Sequence, residues 1–118
     1  MAWLKSGFER DLFKQLKQAK VKFGYETRKL PYTISKNYIP DFVLGNGIII
    51  EAKGVLTPMD RAKMKAVKNG HPELSIRFVF QNANNKLNRF SKTTYGEWAT
   101  KHGFPWAHKR IPKEWFTG

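Results

Sequence analysis

The sequence predicts a single mixed α/β domain over residues 1–118, with its elements in the order α-β-β-β-α-β-α. Three observations support this prediction. Apolar residues recur with the 3.6-residue period of helices in some segments and the two-residue period of strands in others. No repeat or Pro/Ser-rich linker divides the chain, whose length is that of one domain. A hydrophobic content of 41%, with nine Phe, four Tyr and four Trp, is typical of a folded globule.

The first predicted element is a helix over residues 7–19. The segment Ser6-Gly7-Phe8-Glu9 has the spacing of a capping box, in which Ser6 bonds the N3 amide and Glu9 reaches back. One helical face then carries the apolar side chains of Phe8, Leu12, Phe13, Leu16 and Ala19. Glu9 falls within this apolar stripe, where an unpaired charge is costly, so its carboxylate is also a candidate for a buried site.

A β region follows this helix. Residues 22–26 are predicted to form a strand, and residues 30–34 an extended piece that Pro31 confines to a sheet edge. Residues 38–44 and 48–54 are two β-rich runs around a short Gly/Asn loop, which predicts a hairpin.

The second half of the chain alternates helices with extended segments. Thr57 is a good N-cap, and Pro58 suits the first position of a helix that is expected to reach residue 69 and stop at Gly70. The later elements are a strand over 75–80, a long polar and basic loop over 82–92, a short helix over 94–103, a last extended piece and a turn at Pro112.

The charge balance restricts the function. The chain carries 22 Lys and Arg against 9 Asp and Glu, a net charge of +13, which favours a polyanionic partner, most commonly nucleic acid. The absence of Cys excludes disulfides, Cys-ligated zinc and thiol catalysis. No apolar run reaches the roughly 18 residues of a membrane span, and the N-terminus lacks a secretory signal. We therefore expect no membrane association and a cytoplasmic location, that of the host cell if the protein is phage-encoded.

The register of the predicted hairpin determines whether its acidic residues meet. A three-residue loop over 45–47 places Asp41 opposite Glu51, with Lys53 on the same face. A two-residue Asn-Gly turn would instead set Asp41 opposite Ala52. Opposed carboxylates repel each other unless a cation lies between them, and oxygen ligands suit Mg²⁺.

The segments Pro40-Asp41 and Glu51-Ala52-Lys53 together resemble the PD-(D/E)xK nuclease motif. The preceding helix, the hairpin and the following α-β pair also resemble the αβββαβ restriction-endonuclease-like core, which has a central mixed sheet. The alternative reading is structural: Asp41 marks the start of a strand, and Glu51 and Lys53 form a solvated ion-pair face.

Further segments along nearly the whole chain resemble the endonuclease I family of T-odd phages. They are Ser6-Gly7-Phe8-Glu9, Lys22-Phe23-Gly24-Tyr25-Glu26, Leu30-Pro31-Tyr32, Tyr38-Ile39-Pro40-Asp41-Phe42, Ile50-Glu51-Ala52-Lys53-Gly54, His71-Pro72-Glu73-Leu74-Ser75-Ile76-Arg77, Thr94-Tyr95-Gly96-Glu97, Lys101-His102-Gly103 and Ile111-Pro112-Lys113-Glu114-Trp115. The resemblance implies a homodimer that binds four-way (Holliday) junctions and nicks two strands using Mg²⁺ or Mn²⁺. It also implies strand exchange between the subunits, with residues 30–40 as the bridge.

The same resemblance makes Glu9, Asp41, Glu51 and Lys53 the catalytic set. Two metal ions about 4 Å apart would activate water and stabilise charge on the phosphoryl oxygens. Asp41 is expected to bridge them, with Glu51 and the Ala52 carbonyl on the first ion and Glu9 on the second. Lys53 would orient or help deprotonate the attacking water and stabilise negative charge.

The chain departs from the family at Gly24, where the family has a further functionally important Glu. Glu26 lies two residues away and is excluded from the predicted site on that ground.

Basic residues on the long loop and near the C-terminus are the predicted DNA contacts. They are Lys86, Arg89, Lys92, Lys109 and Arg110. No small-molecule cofactor is expected beyond the metal ions.

Three other functions remain open at this point. The first is a nuclease of the same core that acts as a nicking, repair or restriction enzyme. The second is a basic nucleic-acid-binding protein without catalysis. The third is a metal-free ribonuclease that uses His71, His102 and His108, although structural or solvent-facing roles are favoured for all three.

Overall fold

The computed structural model describes residues 7–32 and 36–117, so Ser6 and its part in the predicted capping box lie outside the described residues. The helices are α1 (Gly7–Gln18), α2 (Pro58–Gly70) and α3 (Tyr95–Lys101). The strands are β1 (Phe23–Tyr25), β2 (Leu30–Tyr32), β3 (Lys36–Tyr38), β4 (Phe42–Leu44), β5 (Ile49–Lys53), β6 (Ile76–Phe80) and β7 (Trp106–His108), and a 3₁₀ turn follows at Lys113–Trp115.

Five of these strands form one mixed sheet in the order β1-β4-β5-β6-β7. Strands β1, β4 and β5 pair antiparallel, whereas β5, β6 and β7 pair parallel. Strands β2 and β3 form a separate antiparallel pair. The mixed α/β architecture agrees with the sequence prediction. Assignment to the restriction-endonuclease-like core, and strand exchange in a homodimer, remain predictions.

The sequence prediction was wrong about the extent of one strand. The run 38–44 is not one strand, because Tyr38 belongs to β3 and β4 begins only at Phe42. Pro40 has no amide hydrogen to donate to a ladder and restricts the residue before it, so it separates the two strands. The last extended piece is β7, which adds a parallel edge beside β6.

The sheet separates two apolar cores. Ile50 and Val79 pack with α1 on one face, whereas Ile49 and Phe78 pack with α2 and α3 on the other. Side chains alternate along a strand, so Glu51 shares the face of Ile49 and lies on the α2 side of the sheet. None of the helices in the described ranges is long and apolar enough to cross a membrane.

Helix α2 starts as the sequence predicts. The Thr57 hydroxyl accepts from the Asp60 amide, and the Asp60 side chain accepts from the Thr57 amide, which completes a capping box. The helix ends one residue later than expected, because Gly70 is its last residue and His71 caps it through a hydrogen bond to the Val67 carbonyl.

Candidate active site

The hairpin register brings the two halves of the motif together. Phe42 pairs with Ile50 and Val43 with Ile49, so the same register sets Asp41 opposite Glu51. The Leu44 amide donates to the Ile48 carbonyl at 2.8 Å, which closes the predicted three-residue loop. The alternative register, with Asp41 opposite Ala52, does not occur.

Burial distinguishes three carboxylates from the other charged groups. Among the charged residues that the structure describes, only Glu9, Asp41 and Glu51 are buried, with exposures of 6%, 3% and 4%. A buried carboxylate is costly unless hydrogen bonds or a cation compensate its charge. These are the three carboxylates that the sequence analysis selected.

Each buried carboxylate accepts a hydrogen bond from a fixed donor. The Tyr25 hydroxyl donates to Glu9 Oε2 at 2.6 Å, and the Tyr38 hydroxyl donates to Glu51 Oε2 at 2.5 Å. The Ala52 amide donates to Asp41 Oδ2 at 2.9 Å. Neither tyrosine was predicted from the sequence, because no local pattern identifies which hydroxyl reaches a distant carboxylate.

The two tyrosines stay protonated at neutral pH. Burial raises the pKa of Tyr25 well above its ordinary value, and the hydrogen bond and charge of Glu9 add to this effect. Burial also raises the pKa of Tyr38, reinforced by the charge of Glu51 and the hydrogen bond to it. Both hydroxyls therefore remain hydrogen-bond donors to the carboxylates.

Glu26 joins this site, although the sequence analysis excluded it. Carboxylate oxygens of Glu9, Glu26 and Asp41 all lie within 4.8 Å of one another. The Glu26 amide also donates to the Asp41 carbonyl at 3.3 Å. Glu26 follows the last residue of β1, so the side-chain alternation of that strand does not set its position.

Two local features accompany the placement of Glu26. Its φ of 52° lies in the left-handed region, which ends β1 and changes the direction of the chain. A Cβ added at Gly24 would collide with the Thr27 hydroxyl, so glycine permits the close approach of the segment that carries Glu26.

Glu51 lies outside this group of three carboxylates. It faces the α2 side of the sheet, where its Oε1 is 3.9 Å from Lys53 Nζ. The Lys53 ammonium also donates to Asp60 Oδ1 at 3.2 Å, a contact that no sequence pattern predicted. Glu51 and Lys53 therefore lie on the α2 side of the sheet, whereas Glu9 is carried by α1, which packs on the other face.

The predicted DNA-contacting residues are all exposed. They are Lys86, Arg89, Lys92, Lys109 and Arg110. Phe90, in the same loop, is 84% exposed, and the Arg89 guanidinium lies 4.8 Å from its ring centroid.

A polar cleft connects the motif strand to the basic loop. Its volume is about 600 Å³, and its lining includes Gly54 next to Lys53, Asn82 and Asn85 from the loop segment, and Lys109. The amide of Gln81 donates to the Lys53 carbonyl at 3.0 Å, which fixes the start of the loop beside the motif.

The three histidines lie at the ends of three different elements. His71 caps α2, and His102 caps α3 and packs against Trp98. His108 ends β7, and its Nδ1 accepts from the Ala83 amide at 3.1 Å. Each of the three histidines therefore makes a cap, ring or hydrogen-bond contact within the fold, which favours structural roles for them over catalysis.

The whole chain is similar to known phage nucleases. The sequence model of the family described as "Phage endonuclease I" matches residues 1–118. The chain is 46% identical over 114 residues to Endonuclease I of Escherichia phage T7, and the aligned region covers 94% of this chain and 76% of that protein. It is also 46% identical over 111 residues to Endodeoxyribonuclease 1 of Enterobacteria phage T3, and this aligned region covers 92% of this chain and 73% of that protein. These similarities confirm the family resemblance seen in the sequence segments.

Proposed function

The chain belongs to the phage endonuclease I family, and from that membership we propose that it is a metal-dependent, structure-selective endonuclease of branched DNA. The family makes it a DNA-cleaving hydrolase. The proposal adds that its substrates are four-way (Holliday) and other branched junctions, that it resolves them by paired nicks, and that it requires Mg²⁺ or Mn²⁺.

One observation carries the proposal: a chain of net charge +13 buries three carboxylates at the motif hairpin. A protein that only coats DNA has no need of buried negative charge, which costs stability unless it is compensated. A divalent cation compensates it and also supplies the chemistry of phosphodiester cleavage.

The donor set fits a hard divalent cation. Glu9, Glu26 and Asp41 offer carboxylate oxygens close enough together to share one ion, and oxygen donors are those that Mg²⁺ and Mn²⁺ prefer. We propose that Glu9, Asp41, Glu51 and the Ala52 carbonyl would hold the metal ions. Bound divalent cations activate water and neutralise charge on the phosphoryl oxygens.

The protein groups around this donor set hold the reacting atoms in place. Tyr25 and Tyr38 fix the orientation of Glu9 and Glu51 through their hydrogen bonds. The Lys53 ammonium, on the α2 side, orients the attacking water and stabilises the negative charge that develops on the phosphate. The preorganised carboxylates lower the reorganisation needed when the substrate binds.

DNA recognition in this proposal depends on shape and charge. Lys86, Arg89 and Lys92 are exposed, and residues just before them in the loop, Asn82, Asn84 and Asn85, line the polar cleft that reaches Gly54 beside the motif strand. Lys109 lines the same cleft, and Arg110 follows it. Contacts of Lys and Arg with phosphates position a duplex arm without reading its sequence.

Paired cuts across a junction of approximate two-fold symmetry require a homodimer with C2 symmetry. We propose strand exchange through residues 30–40, by which the approach of Glu9 to Asp41 that the structure shows within one chain would form between two subunits instead. Mixing subunits tests this. Glu9→Gln and Asp41→Asn homodimers are separately inactive, but a mixed dimer with exchanged strands regains one intact site. Cleavage of one strand by the mixture supports exchange, whereas an inactive mixture contradicts it.

The decisive experiment compares a four-way junction with a linear duplex of the same arm sequences, in Mg²⁺ and in EDTA. We expect paired nicks in the junction with Mg²⁺ and none in EDTA. Asp41→Asn, Glu51→Gln and Lys53→Ala should each slow cleavage by about 100-fold or more while the junction is still bound. Glu97→Gln, which changes an exposed carboxylate, is the matched control.

Other outcomes of this experiment favour the alternatives. Equal cleavage of the duplex and the junction would favour a nicking, repair or restriction nuclease of the same core. Undiminished cleavage in EDTA would contradict metal dependence, and cleavage of an RNA strand in EDTA would favour the histidine ribonuclease. Junction binding without strand breakage in any metal would contradict catalysis altogether.

A further inference from the structure

The ammonium group of Lys53 lies between two carboxylates and is closer to the one that the proposed mechanism does not use. Its Nζ is 3.2 Å from Asp60 Oδ1 and 3.9 Å from Glu51 Oε1. We propose that Asp60 is the positioning residue that holds the Lys53 ammonium at the active site. This inference rests on the proposed function, because that function gives Lys53 its role.

The two oxygens of Asp60 have different partners. Oδ2 accepts from the Thr57 amide at 3.0 Å and so closes the capping box at the start of α2. Oδ1 accepts from Lys53. One carboxylate therefore joins the N-terminus of the helix to the last residue of β5, and the cap fixes the rotamer that presents Oδ1 to the ammonium.

The N-terminus of α2 is held firmly against the sheet. Leu56, Met64 and Val67 are buried in the core on this face. The Arg61 guanidinium also donates to the Leu56 carbonyl at 3.0 Å, which ties the first turn of the helix to the preceding loop. Asp60 is therefore fixed relative to β5 by packing, independently of Lys53.

Asp60 carries the negative charge that this role needs. Partial burial acts to raise the pKa of Asp60, but the hydrogen bond from the Thr57 amide and the charge of Lys53 outweigh it, so the pKa lies below its ordinary value. The helix N-terminus favours a carboxylate as well. The side chains of Lys53 and Asp60 are only 19% and 25% exposed, so salt screens this pair less than a surface pair.

A lysine without such a partner would not keep one position. Its side chain has four rotatable bonds and a compact charge without the planar geometry of Arg. Glu51 alone lies beyond hydrogen-bond distance, at 3.9 Å, and is already bonded to Tyr38. Asp60 therefore holds the Lys53 ammonium in one position at the active site. This matters because misplacement of a catalytic group by about 1 Å can cost about 100-fold in rate.

The test separates this role from the helix cap. Asp60→Asn keeps one oxygen to accept from the Thr57 amide but loses the charge and the second acceptor for Lys53. Thr57→Ala removes the hydroxyl that caps the Asp60 amide but leaves the carboxylate beside Lys53. Glu97→Gln alters the same N3 position of the capping box of α3, where Glu97 is exposed, and serves as the control for changes at a cap.

Three quantities are measured for each variant: single-turnover cleavage of a four-way junction in Mg²⁺, junction affinity in EDTA, and the thermal midpoint. For Asp60→Asn we expect cleavage slower by about 10- to 100-fold, with affinity within twofold of wild type. For Thr57→Ala we expect a midpoint lower by about 5 °C and cleavage within twofold. Wild-type cleavage in Asp60→Asn, faster cleavage in it, or equal losses of rate in both variants would overturn the proposal.

The NMR signal of the Lys53 ammonium gives a readout that does not depend on cleavage. We expect a resolved signal with slow hydrogen exchange in the wild type and in Thr57→Ala, and an averaged, fast-exchanging one in Asp60→Asn. An unchanged signal in Asp60→Asn would overturn the positioning role even if the enzyme cleaves junctions. If the wild type does not cleave, the proposed function fails, and the NMR signal still decides whether Asp60 holds Lys53.

Discussion

The Tyr38 hydroxyl donates to Glu51 Oε2 over 2.5 Å and thereby joins β3 to the central strand β5. Tyr38 is fully buried and precedes Pro40-Asp41 by two residues. Two hydrogen bonds therefore hold the residues of the motif in place. Asp41 accepts from the Ala52 amide, and Glu51 accepts from Tyr38, just before the motif begins.

Tyr38→Phe tests this relationship. The change preserves the ring but removes the hydroxyl donor from a buried carboxylate, so the free energy of unfolding should fall by about 1–3 kcal/mol. Cleavage should also slow, because Glu51 loses its fixed orientation. Urea unfolding and junction cleavage measure the two effects. Tyr25→Phe is the corresponding change for the hydrogen bond to Glu9. An unchanged unfolding midpoint in Tyr38→Phe would contradict a stabilising hydrogen bond between Tyr38 and Glu51.

Glu26→Gln tests whether the third carboxylate contributes to metal binding. Removing one negative charge from the group with Glu9 and Asp41 should weaken Mn²⁺ binding by about tenfold. The measurement is the rise in thermal midpoint on titration with Mn²⁺, which requires no cleavage. Glu73→Gln, an exposed carboxylate on another element, should leave the titration unchanged. The same Mn²⁺ dependence in wild type and Glu26→Gln would exclude Glu26 from the metal site.

The sequence predicted the hairpin and its acidic face because local rules set both. The Gly-Asn-Gly loop fixes the register, and strand alternation then places Asp41 opposite Glu51. The position of Glu26 was not predictable in this way, because it depends on a left-handed backbone conformation that non-glycine residues rarely adopt.

Two further contacts depend on tertiary structure. The hydrogen bond between Lys53 and Asp60 needs the angle at which α2 leaves the sheet, which no sequence period encodes. The partner of Tyr38 depends on how β3 packs over β5, and the two strands belong to different sheets. Local patterns therefore located the motif, whereas the groups that hold it in place became visible only in three dimensions.

The basic loop provides a prediction about salt dependence. If Lys86, Arg89 and Lys92 each contact one phosphate, changing all three to Gln should reduce the slope of log affinity against log salt by about 2.7, at about 0.9 for each contact. Junction binding measured from 50 to 300 mM KCl gives the slope. Lys14, Lys17 and Lys20, exposed residues in or just after α1, form a matched triple control. An unchanged slope in the loop variant would remove these residues from the DNA interface.

His102 makes stability depend on pH between 5 and 7. Burial lowers the pKa of His102 below its ordinary value of 6.5, and the charges of Lys65 and Lys101 lower it further. The unfolded chain therefore binds more protons than the folded one as the pH falls below 6.5, so the free energy of unfolding decreases toward pH 5. His102→Gln should remove this contribution. Urea unfolding at pH 5, 6 and 7 measures the difference from wild type.

Lys65→Gln removes only a charge near His102, so it should reduce the dependence of the free energy of unfolding on pH without abolishing it. The same pH dependence in wild type and His102→Gln would refute the assignment of this effect to His102.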